Sequence, residues 1–111
     1  LVDGKLSDAQ KVQYWEDGYL FPIQVMPEAE AAGMRSELEA LEAEYLDADL
    51  PLPLATYKRV NSHCVMPLAH RIGSDPRILD VVEGVLGADI MIYAVEFFIN
   101  TAFPPHKNAN V

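Results

Sequence analysis

Residues 27–46 limit the fold most, because they are rich in Ala, Glu and Leu and contain no β-branched residue. Pro27 suits the start of a helix, where its missing N–H leaves no bond unmade. Apolar residues then recur every three or four positions, the period of one helix face. They are Ala31, Met34, Leu38, Leu41 and Tyr45. We therefore predict a long amphipathic helix to about Leu46. A coiled coil stays open as the alternative, although the pattern is shorter than the three or more heptads typical of one.

Two further helices are predicted from their start and stop signals. Ser7 followed by Gln10 forms the S-x-x-Q pattern of a capping box, and Gly18 is a suitable stop, which predicts a helix over residues 8–17. Pro76 follows Ser74-Asp75 at a first helical position, and Gly87 ends the apolar pattern that follows. A short helix after Pro67 is also consistent with the sequence.

Three segments favour strands. Residues 19–25 are aromatic and β-branched, although Pro22 restricts them to a sheet edge. Residues 56–60 could form a short strand. Residues 90–99 are almost continuously apolar, which is typical of a buried strand, with Glu96 the exception. The order of elements predicts an α+β fold with too few strands to close a sheet of its own.

Charge and cysteine content exclude several classes of function. The net charge is −9, so binding to nucleic acid or to an anionic membrane surface is not expected. The basic residues cluster in residues 57–77, where an anionic ligand would bind most readily. A single cysteine, Cys64, excludes an internal disulfide and makes a cytoplasmic location the expectation. No apolar run is long enough to span a membrane, and the first residues lack a signal-peptide pattern.

Three stretches of this sequence resemble the phytanoyl-CoA dioxygenase family. They are LSDAQKVQYWEDGYLFPIQVMPEAEAAGMRSELEALEAEY, HCVMPLAHRIGSDPRILDVVEGVLGADI and IYAVEFFIN. The likeness covers residues 6–100 and lies in the succession of these segments rather than in one motif. The chain resembles the N-terminal portion of the proteins in that family.

The resemblance implies the start of a double-stranded β-helix, or jelly roll, with N-terminal helices packed on it. The whole chain, residues 1–111, would be a single domain. Its helical part would span residues 6–87, its first barrel strand residues 89–100, and its tail residues 101–111. The implied cofactors are Fe(II), held by two His and one carboxylate, and 2-oxoglutarate. The implied activity is hydroxylation of a small organic substrate.

Five candidate site residues follow from the resemblance. His106 is the candidate metal ligand, Lys58, Arg59 and Asn61 are candidates for binding 2-oxoglutarate, and His63 is a candidate substrate contact. Each has a simpler alternative: a tail His, solvated surface charges, a turn-capping Asn, and a loop His bonded to backbone. The sequence departs from the family pattern at His106-Lys107-Asn108, where Asn replaces the carboxylate of H-x-D and no second His follows. Catalytic residues are not identified.

Cys64 is expected to be a small buried apolar residue rather than a nucleophile. His63 and His70 have no carboxylate at ligand spacing, so a separate zinc site is not expected.

A second hypothesis follows from the incomplete metal site. The chain could be a truncated, non-catalytic α+β module that acts through oligomerisation or partner binding. In either case a homodimer or larger assembly is predicted, because the apolar final strand would otherwise lack a cover.

Overall fold

A computed structural model of the chain describes residues 1–99. Five α-helices and one 3-10 turn follow each other in this part. The helices are α1 (Asp8–Asp17), α2 (Glu28–Glu44), α3 (Leu54–Arg59), α4 (Pro67–Gly73) and α5 (Pro76–Leu86), and the 3-10 turn is Ser62–Cys64. The α1, α2 and α5 predictions are confirmed, as is the short helix after Pro67.

The ends of α1 show why these helices were predictable. The Ser7 side chain accepts a hydrogen bond from the Gln10 N–H at 3.2 Å, and the Gln10 side chain accepts one from the Ser7 N–H at 3.0 Å. Gly18 ends the helix in the left-handed region, with φ 80°. Local residues alone therefore satisfy the two N–H donors at the start of α1 and form the turn that ends it.

The chain begins with a small turn that positions Leu6. Val2 and Lys5 exchange backbone hydrogen bonds of 2.8 and 2.9 Å across Asp3 and Gly4, both of which have positive φ. Leu6 then lies buried against α5, where a Cβ on Gly84 would meet the Leu6 side chain at 3.0 Å. A larger residue at position 84 would not leave room for this contact.

The α+β prediction is wrong. Helices make up 55% of the described structure and strand 2%, with no sheet, so this is not the beginning of a jelly roll. Residues 56–60 lie largely in α3, with the Val60 N–H bonded to the Thr56 carbonyl at 2.9 Å. Residues 19–25 are irregular, and Pro22 has no N–H with which to join a ladder.

Residues 90–99 are extended but pair with no other strand within residues 1–99. Their backbone instead bonds to the helical part: the Ser62 N–H donates to the Val95 carbonyl at 3.1 Å, and the Phe97 N–H donates to the Lys58 carbonyl at 2.9 Å. We call residues 90–99 the extended segment. The first-barrel-strand prediction for residues 89–100 fails because no described strand lies beside this segment; Asn100 lies outside the described residues.

The core is small and lies where the extended segment crosses α4 and the 3-10 turn. Leu68 and Ala69 of α4 are buried together with Met66. Ser62 is fully buried, and its side chain donates a hydrogen bond to the Val95 carbonyl. A Cβ on Gly73 would lie 2.9 Å from Val95 Cγ2, so the glycine permits this close crossing.

Salt bridges join α2 to the later helices. Arg77 at the start of α5 binds both carboxylate oxygens of Glu30, at 2.8 and 2.6 Å, and also binds Asp75 at 2.6 Å. Arg71 of α4 binds Glu37 at 2.5 Å. Ion pairs therefore join the long helix to both α4 and α5.

Candidate ligand-binding site

Four of the five predicted site residues lie in one short stretch, from the last turn of α3 to the 3-10 turn. Lys58 and Arg59 end α3, Asn61 precedes the turn, and His63 lies within it. His106, the predicted metal ligand, lies outside the described residues. The structure therefore tests the relative placement of the first four only.

Arg59 differs from every other Lys and Arg within residues 1–99, because it alone has no carboxylate within salt-bridge distance. The paired cations are Lys5 with Glu83, Lys11 with Asp8, Arg35 with Glu39, Lys58 with Glu42, Arg71 with Glu37, and Arg77 with Glu30 and Asp75. In a chain with a net charge of −9, an unpaired guanidinium is the exception. No carboxylate of residues 1–99 neutralises its charge.

The guanidinium of Arg59 lies over an aromatic ring at the edge of a cavity. Its Cζ is 5.3 Å from the centre of the Phe98 ring, within the range of a cation–π contact. The cavity measures about 340 Å³ and is lined by Ala55, Lys58, Arg59, Phe97, Phe98 and Ile99. We call it the Arg59 pocket. Its volume is at the lower end of the range for small-molecule sites.

Lys58 lines the same pocket, but its charge is already matched. Its ammonium binds the Glu42 carboxylate of α2, and both side chains are mostly buried. Burying a charge in this way is tolerable only with a partner, so this pair is expected to persist when a ligand enters. Lys58 therefore holds α3 against α2, and Arg59 supplies the pocket's unmatched charge.

Asn61 and His63 do not line the pocket. Asn61 is exposed in the left-handed region, with φ 48°, and its side chain makes no capping bond to the turn. His63 is half-buried, and its Nδ1 is buried without a hydrogen-bond partner among the described residues. Of the three candidates for binding 2-oxoglutarate, Lys58 and Arg59 line one pocket and Asn61 does not. Cys64, expected to be buried, is exposed.

The implied iron site is not complete within residues 1–99, and its candidate ligand His106 lies outside them. No three side chains of the types His, Cys, Asp and Glu lie together in a metal-binding arrangement within residues 1–99. Two His and a carboxylate at one point are what non-haem Fe(II) requires. We therefore derive no step of a reaction through iron.

Phe98 is the pocket residue that sequence reasoning missed. Its only signal was an aromatic residue in an apolar run, which is equally typical of a core strand. The contact with Arg59 depends on the Phe97 N–H bonding to the Lys58 carbonyl, a pairing of residues distant in sequence.

A second cavity, of about 280 Å³, lies between the N-terminal part and α5. Its lining is almost wholly apolar and includes Leu6, Leu20 and Val82. Binding sites normally add a few polar groups that orient the ligand. The Arg59 pocket has such a group, and for that reason it is the candidate site.

Within residues 1–99, no helix combines the length and apolarity that crossing a membrane requires. Comparison with known proteins found no matching protein-family model, no matching curated protein and no matching solved structure.

Proposed function

We propose that this chain is the N-terminal portion of an Fe(II)- and 2-oxoglutarate-dependent oxygenase of the phytanoyl-CoA dioxygenase type, which hydroxylates a small organic substrate. Its own part in that reaction is to bind a small carboxylate at Arg59. The iron ligands would lie beyond residue 99, with His106 as the candidate in this chain. The cytoplasm would be the setting, in keeping with a single cysteine.

The proposal has two supports. The first is the succession of sequence segments over residues 6–100 that resembles the family. The second, which carries the binding role, is the guanidinium of Arg59, which lines the Arg59 pocket and pairs with no carboxylate within residues 1–99. Guanidinium groups suit carboxylates because two parallel N–H donors match the two oxygens.

Nuclear magnetic resonance of the 15N-labelled chain tests the binding role. Titration with 2-oxoglutarate, and separately with hexanoate, is expected to shift amide signals of α3 and of the last residues of the extended segment. Arg59→Gln should weaken binding about tenfold, the scale of one charge-assisted hydrogen bond. Arg35→Gln is the matched control, because Arg35 is an exposed arginine already paired with Glu39 at 2.8 Å. Equal weakening by both variants, or a Kd unchanged by Arg59→Gln, would contradict the role of Arg59.

The oxygenase assignment has a test of its own. Anaerobic addition of Fe(II) and 2-oxoglutarate to the folded chain produces a visible metal-to-ligand charge-transfer band if the chelated site forms. A band that His106→Ala abolishes would support the assignment. No band with this chain, and none after adding a polypeptide that carries the missing ligands, would remove its support.

A second candidate function is assembly with another copy through the extended segment. Met91 is 86% exposed and Tyr93 is 91% exposed, and the backbone of residues 90–94 makes no backbone hydrogen bond within residues 1–99. A strand with unpaired N–H and carbonyl groups can pair with its own copy about a two-fold axis. The resulting function would be oligomerisation without catalysis.

Light scattering after size-exclusion chromatography tests this second candidate. A dimer that Tyr93→Lys converts to monomer would support pairing through the extended segment. Phe21→Lys is the control, because Phe21 is 82% exposed but lies outside that segment. A monomer at high concentration, or a dimer broken equally by both variants, would count against it.

A further inference from the structure

The charges of the Arg59 pocket define the ligand more narrowly. Among the described residues that line it, Lys58 and Arg59 are the only cationic side chains, and the Lys58 charge is matched by Glu42. One positive charge therefore remains for a ligand.

The other described residues that line the pocket are apolar. Ala55, Phe97, Phe98 and Ile99 supply methyl groups and aromatic surface, and none of them offers a side-chain hydrogen bond. A second carboxylate on the ligand would meet this surface without a partner, which is costly for a charged group. An alkyl or aryl group would instead replace water there favourably.

We propose that the Arg59 pocket binds a monocarboxylate with an apolar alkyl or aryl body, and that it selects against dicarboxylates, 2-oxoglutarate included. This inference rests on the proposed binding role of Arg59 and assigns the pocket to the organic substrate rather than to the co-substrate. The carboxylate meets the guanidinium, and the apolar body lies along Phe98 toward Ala55 and Ile99. The volume of about 340 Å³ limits the ligand to a small molecule.

A matched set of ligands tests the proposal on the full 111-residue chain. Hexanoate and adipate have the same carbon chain and differ by one carboxylate. Hexanoate is expected to bind at least about tenfold more tightly than adipate. Along the series from acetate to hexanoate, affinity should rise by up to about fourfold for each methylene that becomes buried. Phenylacetate should also bind more tightly than acetate.

Variants of single residues test which side chains determine the ligand preference of the Arg59 pocket. Phe98→Leu should weaken phenylacetate binding by about three- to tenfold, because the aromatic surface is lost. Phe21→Leu, at an exposed aromatic outside the pocket, should leave it unchanged. Arg59→Gln should weaken every carboxylate to a similar extent. Circular dichroism of each variant shows whether the helices are retained.

The outcomes separate this inference from the proposed function. If adipate or 2-oxoglutarate binds through Arg59 as tightly as hexanoate, the monocarboxylate inference is wrong and the carboxylate-binding role stands. If no carboxylate depends on Arg59, both are wrong. Chain-length dependence that requires both Arg59 and Phe98 supports both.

Discussion

Arg77 on α5 and Glu30 on α2 form a two-bonded ion pair that joins residues far apart in sequence, with Nη1–Oε2 and Nη2–Oε1 distances of 2.8 and 2.6 Å. Asp75, only 11% exposed in its side chain, binds the same guanidinium and also accepts the Arg77 backbone N–H. Glu30 and Asp75 thus share one cation at the start of α5. The α2–α5 contact therefore depends on the ionisation of two carboxylates.

Stability is predicted to fall in acid because of this cluster. The Arg77 hydrogen bonds lower the pKa of Asp75 from 3.8 to about 2, and they lower the pKa of Glu30 from 4.5. A carboxylate whose pKa is depressed on folding stabilises the fold above its unfolded pKa and loses that effect as the pH falls through its folded pKa. The free energy of unfolding in urea should therefore decline as the pH falls from 4.5 to about 2.

Arg77→Gln is the decisive variant for this pH dependence. It should lower stability at neutral pH and flatten the decline in acid. Arg71→Gln, which removes the simpler pair with Glu37, is the comparison and should flatten the decline less. An unchanged pH profile in Arg77→Gln would show that the cluster does not set acid stability.

Gly73→Ala is predicted to destabilise the chain by about 1–3 kcal/mol through overpacking. The added Cβ would lie 2.9 Å from Val95 Cγ2 and 3.5 Å from Ile92 Cδ1, so the extended segment must move away from α4. Gly33→Ala is the matched control. It lies inside α2 with no atom within 4 Å of the new Cβ, and it should stabilise the chain by roughly 0.5–1 kcal/mol. Urea unfolding measures the change in the free energy of unfolding for each variant. A change of the same sign in both variants would contradict the close approach of Val95 to Gly73.

Ser62→Ala is predicted to cost about 1 kcal/mol. The Ser62 side chain is fully buried and donates to the Val95 carbonyl, which also accepts the Ser62 N–H at 3.1 Å. The carbonyl keeps one partner in the variant, so the loss is limited to one bond. Ser36→Ala, at an exposed helical serine, should change stability by less. Chemical denaturation compares the two, and a larger loss at Ser36 would contradict the assigned role of Ser62.

Ser7→Ala is predicted to destabilise α1 by about 1 kcal/mol, because the Gln10 N–H loses its acceptor. Ser7→Asp keeps an acceptor at the cap and should retain most of the stability. Thermal unfolding followed by circular dichroism tests both variants. A neutral effect of Ser7→Ala would show that packing of Leu6 against α5, rather than the cap, holds this helix in place.

The helices could be predicted from the sequence because their signals are local. The Ser7–Gln10 capping box, Gly18, Pro76 and Gly87 all act within one turn of the helix that they delimit. The strand predictions were wrong, because a strand needs a partner that the sequence alone does not identify. Residues 56–60 are too few to distinguish a helical from a strand period, and they lie largely in α3, which begins at Leu54 after Pro53.

The candidate site was predictable only in part for the same reason. The family resemblance implies Arg59 as a candidate, and Arg59 lies within a basic stretch of the sequence. Its charge stays unmatched among the described residues because Glu42 pairs with Lys58. Its aromatic neighbour Phe98 belongs to the extended segment. Both are tertiary contacts between distant parts of the chain.

The Phe97 N–H bond to the Lys58 carbonyl has a thermodynamic consequence. The pocket has its walls of Phe97, Phe98 and Ile99 only while this end of the extended segment is bonded to α3. Bonding of the segment to α3 and binding of a ligand are therefore linked equilibria. A ligand that requires the attached state shifts the equilibrium toward it by RT ln(1 + [L]/Kd). A small molecule bound at Arg59 would therefore slow hydrogen exchange of the Phe97 amide and protect this segment from proteases.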